Sequence, residues 1–276
     1  VKLTSMMELF PEIANAKNMS QAMNMAAQKA RMISRAVDVQ AAPSSAVSEV
    51  ATRIVNIDAL EFIKTLPDNS IDHIITDPPF GVAYDERMAP TVGASSAYED
   101  SESTYRRLLT IVPDLYRVLK PDGFCVWFFG MSWYTEVHAA FKLAGFTVDD
   151  MPIIWDRTDG RTYTNRPDRY FTRGYDVALH TFKGNPIMVQ KAKPNILRIP
   201  PVASNDRETL VERPVELYAE LIQRMTHPGQ IVADFFVGSG SCPAAAASLG
   251  RNYIGSELDP TRHAYALTKI AAHTRS

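Results

Sequence analysis

Short apolar runs alternate along this chain with stretches whose apolar residues recur at helical spacing. Arg53–Ile57 has the pattern of a short strand, Leu60–Leu66 that of a brief helix, and Ile71–Thr76 that of a second strand. Tyr105–Leu119 carries Leu108, Leu109, Val112, Leu115, Val118 and Leu119 on one helical face and is stopped by Lys120-Pro121-Asp122-Gly123. Phe124–Phe129 is apolar throughout, as a strand covered on both faces requires. A helix over Ser132–Leu143, ended at Gly145, and a strand over Thr147–Trp155 follow, with a further strand over Asp176–Phe182. The last third predicts a helix over Pro214–Met225, a strand over Gln230–Phe236, and an alanine-rich helix opened by Pro243 and closed at Gly250. A strand over Arg251–Ser256 and a helix over about Pro260–Ala272 complete it. Strands alternating with helices predict an α/β fold with a doubly wound, mostly parallel sheet.

Ahead of this body the pattern changes. Residues 1–38 predict a helical arm, with Met19, Met23, Ala26, Ala30, Ile33 and Val37 in one stripe. Such a stripe docks on its own domain, or faces DNA or a second copy of the chain, which would make a homodimer. Residues 39–51 are small and polar and predict a linker, so the body spans 52–276.

The Ile71–Thr76 strand runs into Asp77-Pro78-Pro79-Phe80. Neither proline has an N–H for a ladder, so the strand ends there and leaves a carboxylate and an aromatic ring at its carboxyl end. In open α/β sheets ligands bind at that end. Gly81–Ser103, poor in apolar residues, is long for a loop inside a domain and predicts a functional segment such as a lid.

Composition narrows the chemistry. The 276 residues are 46% hydrophobic and carry a formal charge of −2, so polyanion binding would need segregated basic residues. Segment 156–174 holds Arg157, Arg161, Arg166, Arg169 and Arg173 among Tyr163, Tyr170 and Phe171. Segment 183–205 holds Lys183, Lys191, Lys193 and Arg198 without any Asp or Glu. Arginines among aromatics suit a groove that follows phosphates and stacks bases; Arg161, Arg166, Arg169, Arg173, Lys191, Lys193 and Arg198 are therefore candidate nucleic-acid contacts. The two cysteines lack ligand spacing, which predicts no metal site and no disulfide scaffold. There is no apolar run of membrane-spanning length and no signal-peptide pattern, so a cytoplasmic setting is expected, in a bacterium or from a phage in its host.

A second constellation lies near the end. The Gln230–Phe236 strand is followed by Gly238-Ser239-Gly240, a helix, a strand and Glu257. This is a dinucleotide-type arrangement in which glycines admit a ligand to the backbone and the acid grips ribose hydroxyls. The third glycine of the pyrophosphate fingerprint is replaced at Pro243, which leaves a nucleoside ligand without a pyrophosphate. S-adenosylmethionine is such a ligand.

Together these motifs resemble the S-adenosylmethionine-dependent amino-methyltransferases of DNA, from about Arg53 to Ile270. Asp77-Pro78-Pro79-Phe80 lies ahead of the glycine loop, as in the permuted order of the beta group. Asn56-Ile57-Asp58-Ala59-Leu60 resembles that group's opening segment, and Arg213-Pro214-Val215-Glu216-Leu217 resembles its Lys-Pro-Val-x-Leu helix. Asp234-Phe235-Phe236-Val237-Gly238-Ser239-Gly240 resembles Asp-Pro-Phe-x-Gly-Ser-Gly, and Tyr253–Asp259 is similar to the acid-bearing strand. Phe80 stands where tyrosine is commoner, Phe235 replaces a proline and Ser241 a threonine.

The resemblance implies a circularly permuted Rossmann-like methyltransferase sheet. It implies S-adenosylmethionine held by Asp58, Asp234, Phe236, Gly238, Ser239, Gly240 and Glu257, with Asp58 at the position that contacts adenine. It implies double-stranded DNA as partner, with a base flipped out beside Phe80 and its exocyclic amine held by Asp77 and the Pro78 carbonyl, Pro79 completing the motif. Adenine N6 is the expected target, because the family's cytosine enzymes more often carry serine at the place of Asp77. Cytosine N4 and a non-catalytic nucleic-acid-binding subunit on the same fold are the alternatives.

Overall fold

Residues 53–80, 101–157, 168–172, 174–203 and 212–274 are described in the computed structural model. The chain divides into two units, Val1–Val50 and Ala51–Ser276, and the described residues all belong to the second. The predicted arm and linker, most of the Gly81–Ser103 segment, and Arg161, Arg166 and Arg173 lie outside the described residues.

The strands are β1 (Arg53–Val55), β2 (His73–Thr76), β3 (Phe124–Phe129), β4 (Thr147–Val148), β5 (Ile153–Asp156), β6 (Tyr175–Phe182), β7 (Ile196–Arg198), β8 (Ile231–Asp234) and β9 (Asn252–Ser256). They form one sheet in the order β1-β9-β8-β2-β3-β6-β5-β7, with β4 paired to β6. From β1 to β3 every pairing is parallel. β6 runs antiparallel to β3 and to β5, and β7 is again parallel to β5. The expected mostly parallel, doubly wound sheet is present, extended by an antiparallel turn at one side.

The helices are α1 (Ala59–Phe62), α2 (Glu102–Leu108), α3 (Val112–Val118), α4 (Tyr134–Leu143), α5 (Val215–Met225), α6 (Ser241–Ser248) and α7 (Pro260–Thr274). Alternation along β3 shows both sheet faces covered. Trp127 meets Phe141 of α4 at 5.7 Å between ring centroids, while Phe128 meets Tyr218 of α5 at 6.1 Å. All six residues of β3 and all four of β2 are buried. Each large apolar side chain taken fully out of water contributes roughly 1.5–3 kcal/mol, so these central strands anchor the domain.

Three predicted elements are interrupted, the first two for a local reason. The Tyr105–Leu119 helix is two helices joined by the 3-10 turn Leu109–Ile111, because Pro113 has no N–H and starts the second of them. The Thr147–Trp155 strand is split into β4 and β5: Asp149 Oδ1 accepts the Met151 N–H at 3.0 Å, and Pro152 cannot donate to a ladder. The Leu60–Leu66 helix is α1 followed by a 3-10 turn over Ile63–Thr65.

Candidate active site

β2 lies between β8 and β3, so Asp77 leaves the sheet at the middle of its carboxyl edge. The ends of β2 and β8 are tied together there. The Thr76 hydroxyl donates to Asp234 Oδ1 at 2.8 Å and accepts the Phe235 N–H at 3.1 Å. Asp77 follows with its side chain one-fifth exposed, Pro78 is buried, and Phe80 packs partly buried against the core.

The Asp77 carboxylate faces Arg213, just ahead of α5. Arg213 Nε donates to Oδ2 at 2.5 Å and Nη2 to Oδ1 at 2.8 Å, a bidentate pair. The remaining arm, Nη1, donates to Asp176 Oδ2 at 2.7 Å at the start of β6. The guanidinium is 5.6 Å from the Phe80 ring, 4.4 Å from Phe128 and 5.4 Å from Trp155. Neither Arg213 nor Asp176 was assigned a role from the sequence. The Arg213-Pro214 pair was visible as a motif, but its partner is 136 residues away.

Burial raises the Asp77 carboxyl above its ordinary range, and the Arg213 guanidinium pulls against that rise. Burial works against the Arg213 charge in turn, but Asp77 and Asp176 outweigh it and hold Arg213 protonated. Asp234 is pushed up to about 7, first by burial, against the hydrogen bonds from Thr76 and the Phe236 N–H. Both thiols are buried and raised, Cys125 to about 12, which leaves no thiolate nucleophile among the described residues.

The Asp234 shift has a measurable consequence. Between its ordinary value of 3.8 and about 7 the folded state holds a proton that the unfolded chain releases. Its stabilisation is therefore complete at the acid end and is lost as pH rises through about 7, by up to about 1.4 kcal/mol per pH unit. Asp234→Asn keeps an oxygen acceptor for Thr76 and Phe236 but does not titrate. Denaturant unfolding across this range is expected to show the parent losing stability relative to Asp234→Asn as pH rises; parallel profiles would contradict the assignment.

The two glycines of the second constellation serve different ends. Gly238 has φ +54°, and an added Cβ would meet only the Phe236 carbonyl oxygen, at an ordinary contact distance of 3.9 Å, so this side of the loop is uncrowded. Gly240 has φ +86°, and an added Cβ would sit 2.8 Å from the Ala266 Cα of α7. Gly240 thus lets α7 pack against the loop. Ser239 is buried with its hydroxyl 3.2 Å from that of Ser241, and Phe236 meets Trp127 edge-on at 6.1 Å.

Glu257 is buried and shapes the loop. Its Oε2 accepts the Gly238 N–H at 2.7 Å and its Oε1 the Asp259 N–H at 2.9 Å. Asp58 caps α1 through the Leu60 N–H at 2.8 Å and pairs with Arg107 at 3.0 Å. Because β1 pairs with β9 in parallel, Asp58 and Glu257 leave the sheet at the same edge, and the Asn56 side chain bridges to the Glu257 and Leu258 carbonyls. The uncrowded side of Gly238 beside acceptors on Glu257 and Asp58 fits a nucleoside with an amino-acid tail.

The basic candidates among the described residues, Arg169, Lys191, Lys193 and Arg198, do not converge. Arg198 ends β7 at the carboxyl edge, exposed and 3.4 Å from Asp156. Arg169, also exposed, lies 3.6 Å from Asp168. Lys191 and Lys193 lie between the end of β6 and the start of β7, and β6 runs antiparallel to β3; this puts them at the amino edge, opposite Asp77. The antiparallel strand decides that placement, and the local sequence carries no sign of it.

Comparison with known proteins agrees with the geometry. Residues 71–268 match the family model described as DNA methylase. The YubD protein of Escherichia coli (strain K12) is 33% identical over 225 residues, covering 82% of this chain and 92% of its own. Among solved structures, the M1.HpyAVI–SAM complex aligns with a TM-score of 0.63 at 23% identity, covering 79% of this chain and 98% of its own. The PvuII DNA methyltransferase, cytosine-N4-specific, aligns with a TM-score of 0.65 at 18% identity, covering 82% and 92%.

Proposed function

Because this chain belongs to the DNA methylase family, whose model spans residues 71–268, we propose that it transfers a methyl group from S-adenosylmethionine to the exocyclic N6 of an adenine flipped out of double-stranded DNA. The observation that carries this reading is the Asp77 carboxylate at the strand end, fixed by a bidentate arginine and placed beside Phe80.

An exocyclic amine is a poor nucleophile because its lone pair is delocalised into the ring. Ionised Asp77 offers about four lone-pair sites, of which Arg213 occupies two, so a target N–H still finds an acceptor on either oxygen. The Pro78 carbonyl is the second acceptor. Holding both amino hydrogens pushes the nitrogen towards a tetrahedral shape and aims its lone pair along one line. As charge develops on nitrogen, the carboxylate stabilises it, and later takes up the departing proton. Phe80 supplies a stacking face, worth roughly 1–3 kcal/mol per base, against a flipping cost of a few kcal/mol. Gly238, Glu257 and Asp58 hold the cofactor, with Asp234, Phe236, Ser239 and Gly240 building the loop beneath it. When bound, S-adenosylmethionine supplies an electrophilic methyl group on a sulfonium. Asp77 itself supports adenine, because serine is the commoner residue there in cytosine enzymes of the resembled family.

Incubation of the purified chain with unmethylated duplex DNA and methyl-labelled S-adenosylmethionine tests the reading. Label recovered in the DNA is expected. No transfer, together with no cofactor binding by calorimetry, would overturn it and favour a non-catalytic subunit.

A further inference from the structure

The acceptor Asp77 is not held by its own strand. It ends a relay of alternating charges, Arg157–Asp176–Arg213–Asp77, in which the contacts are 3.4, 2.7 and 2.5 Å. Arg213 is the hinge of this relay. Its side chain is 7% exposed, its fork spends Nε and Nη2 on Asp77 and Nη1 on Asp176, and three rings enclose its plane. The preceding residue, Glu212, pairs with Lys269 of α7, whose ammonium also lies 3.4 Å from the Ser241 hydroxyl at the start of α6. One dipeptide thereby spans from the helix after the glycine loop to the carboxylate at the end of β2.

We propose that Arg213 is the positioning residue of the reaction, fixing the orientation and the anionic state of Asp77, with Asp176 as the outer anchor that fixes Arg213. The inference rests on the methyl-transfer reading above. Two properties are separable in it. The charge keeps Asp77 ionised, and the planar fork sets which lone pairs remain for the substrate. The groups that face Asp77 are Arg213 from the segment before α5, Asp176 of β6, Asp234 of β8, Tyr218 of α5 and Tyr105 of α2. Among these Arg213 is the cation; the two carboxylates oppose ionisation of Asp77. A purely structural arginine would neutralise the buried acids, and its loss would change stability and their titration without changing kcat at a pH where Asp77 is ionised.

Three variants divide these roles: Arg213→Met, Arg213→Lys and Asp176→Asn. Two readouts apply to each, kcat against the cofactor KM over pH, and the titration of the Asp77 carboxyl carbon by ¹³C NMR, assigned with Asp77→Asn. Arg213→Met is expected to lower kcat by about 100-fold or more, with cofactor KM little changed, since misplacement of a reacting group costs that much. It is also expected to move the Asp77 midpoint, and with it the acid limb of kcat, upward by about 1–3 pH units. Arg213→Lys keeps the charge and loses the fork, so the midpoint stays near the parent while kcat recovers only part of the loss. Asp176→Asn removes a like charge, so the midpoint does not rise, yet kcat falls because Arg213 loses its anchor.

If Arg213→Met fails to fold, the other two variants still decide, because parental kcat in both overturns the proposal. A folded Arg213→Met with parental kcat at a pH where Asp77 is ionised overturns it directly, wherever its midpoint lies. If the parent chain transfers no methyl group, the functional reading fails while the carboxyl titration continues to test the control of Asp77 by Arg213.

Discussion

Asp77→Ala is expected to lower the rate of methyl transfer by about 10²–10⁴-fold, the range for a positioned acid–base or charge-stabilising group, while cofactor affinity stays close to that of the parent. The split follows from the geometry. Asp77 ends β2, whereas the loop that would hold the cofactor follows β8 and is tied to Glu257 through the Gly238 N–H at 2.7 Å. Removing the carboxylate does not strand Arg213 entirely, because Asp176 remains 2.7 Å from its Nη1. The variant should therefore fold, although losing one partner of a largely buried pair destabilises it. Asp77→Asn is the sharper form. It keeps the shape and one acceptor oxygen, but turns an N–H₂ towards a guanidinium that has only donors. Single-turnover rates with saturating cofactor, beside calorimetric cofactor titration, separate the two effects. A variant with parental rates would refute the role of Asp77, and one that lost cofactor binding would place Asp77 in the wrong half of the site.

The second large effect lies in the glycine loop, where two residues of one motif are expected to fail differently. Gly240→Ala forces a Cβ to within 2.8 Å of the Ala266 Cα at φ +86°. Both the left-handed backbone and the overpacking against α7 then oppose folding, by about 2–4 kcal/mol together. Gly238→Ala meets no neighbour closer than 3.9 Å and carries only the cost of its φ of +54°, about 1–2 kcal/mol. Its Cβ enters the uncrowded side of the loop, so its loss appears chiefly in cofactor affinity. Denaturant melts and cofactor titrations of the two variants should rank them in opposite orders. Equal losses in both would mean that the two glycines share one role.

Much of this site is legible in the sequence, because its landmarks are local. Asp77-Pro78-Pro79-Phe80 declares its own strand end, and the glycine loop declares the turn between β8 and α6. The parts that were not legible depend on long-range placement. Arg213 and Asp176 meet only because β6 turns back beside β3, 37 residues before Arg213 in the chain. The same reversal carries Lys191 and Lys193 to the far edge of the sheet, although their acid-free surroundings resembled a single DNA-facing surface with Arg198. Gly240 illustrates a subtler gap. Its motif suggested close approach of a ligand, and the close approach is that of helix α7. The split of the predicted Tyr105–Leu119 helix was available locally, since Pro113 lies in its middle, but the unbroken apolar stripe masked it.

Shared chemistry at Asp77 makes the identity of the methylated base the most direct test of the account. DNA labelled by the enzyme and methyl-labelled S-adenosylmethionine, digested to nucleosides and separated, reports that base without knowledge of the recognition sequence. The account predicts label in N6-methyladenine, lost with Asp77→Ala. Label in N4-methylcytosine would contradict the adenine assignment, and label surviving Asp77→Ala would contradict the carboxylate clamp itself.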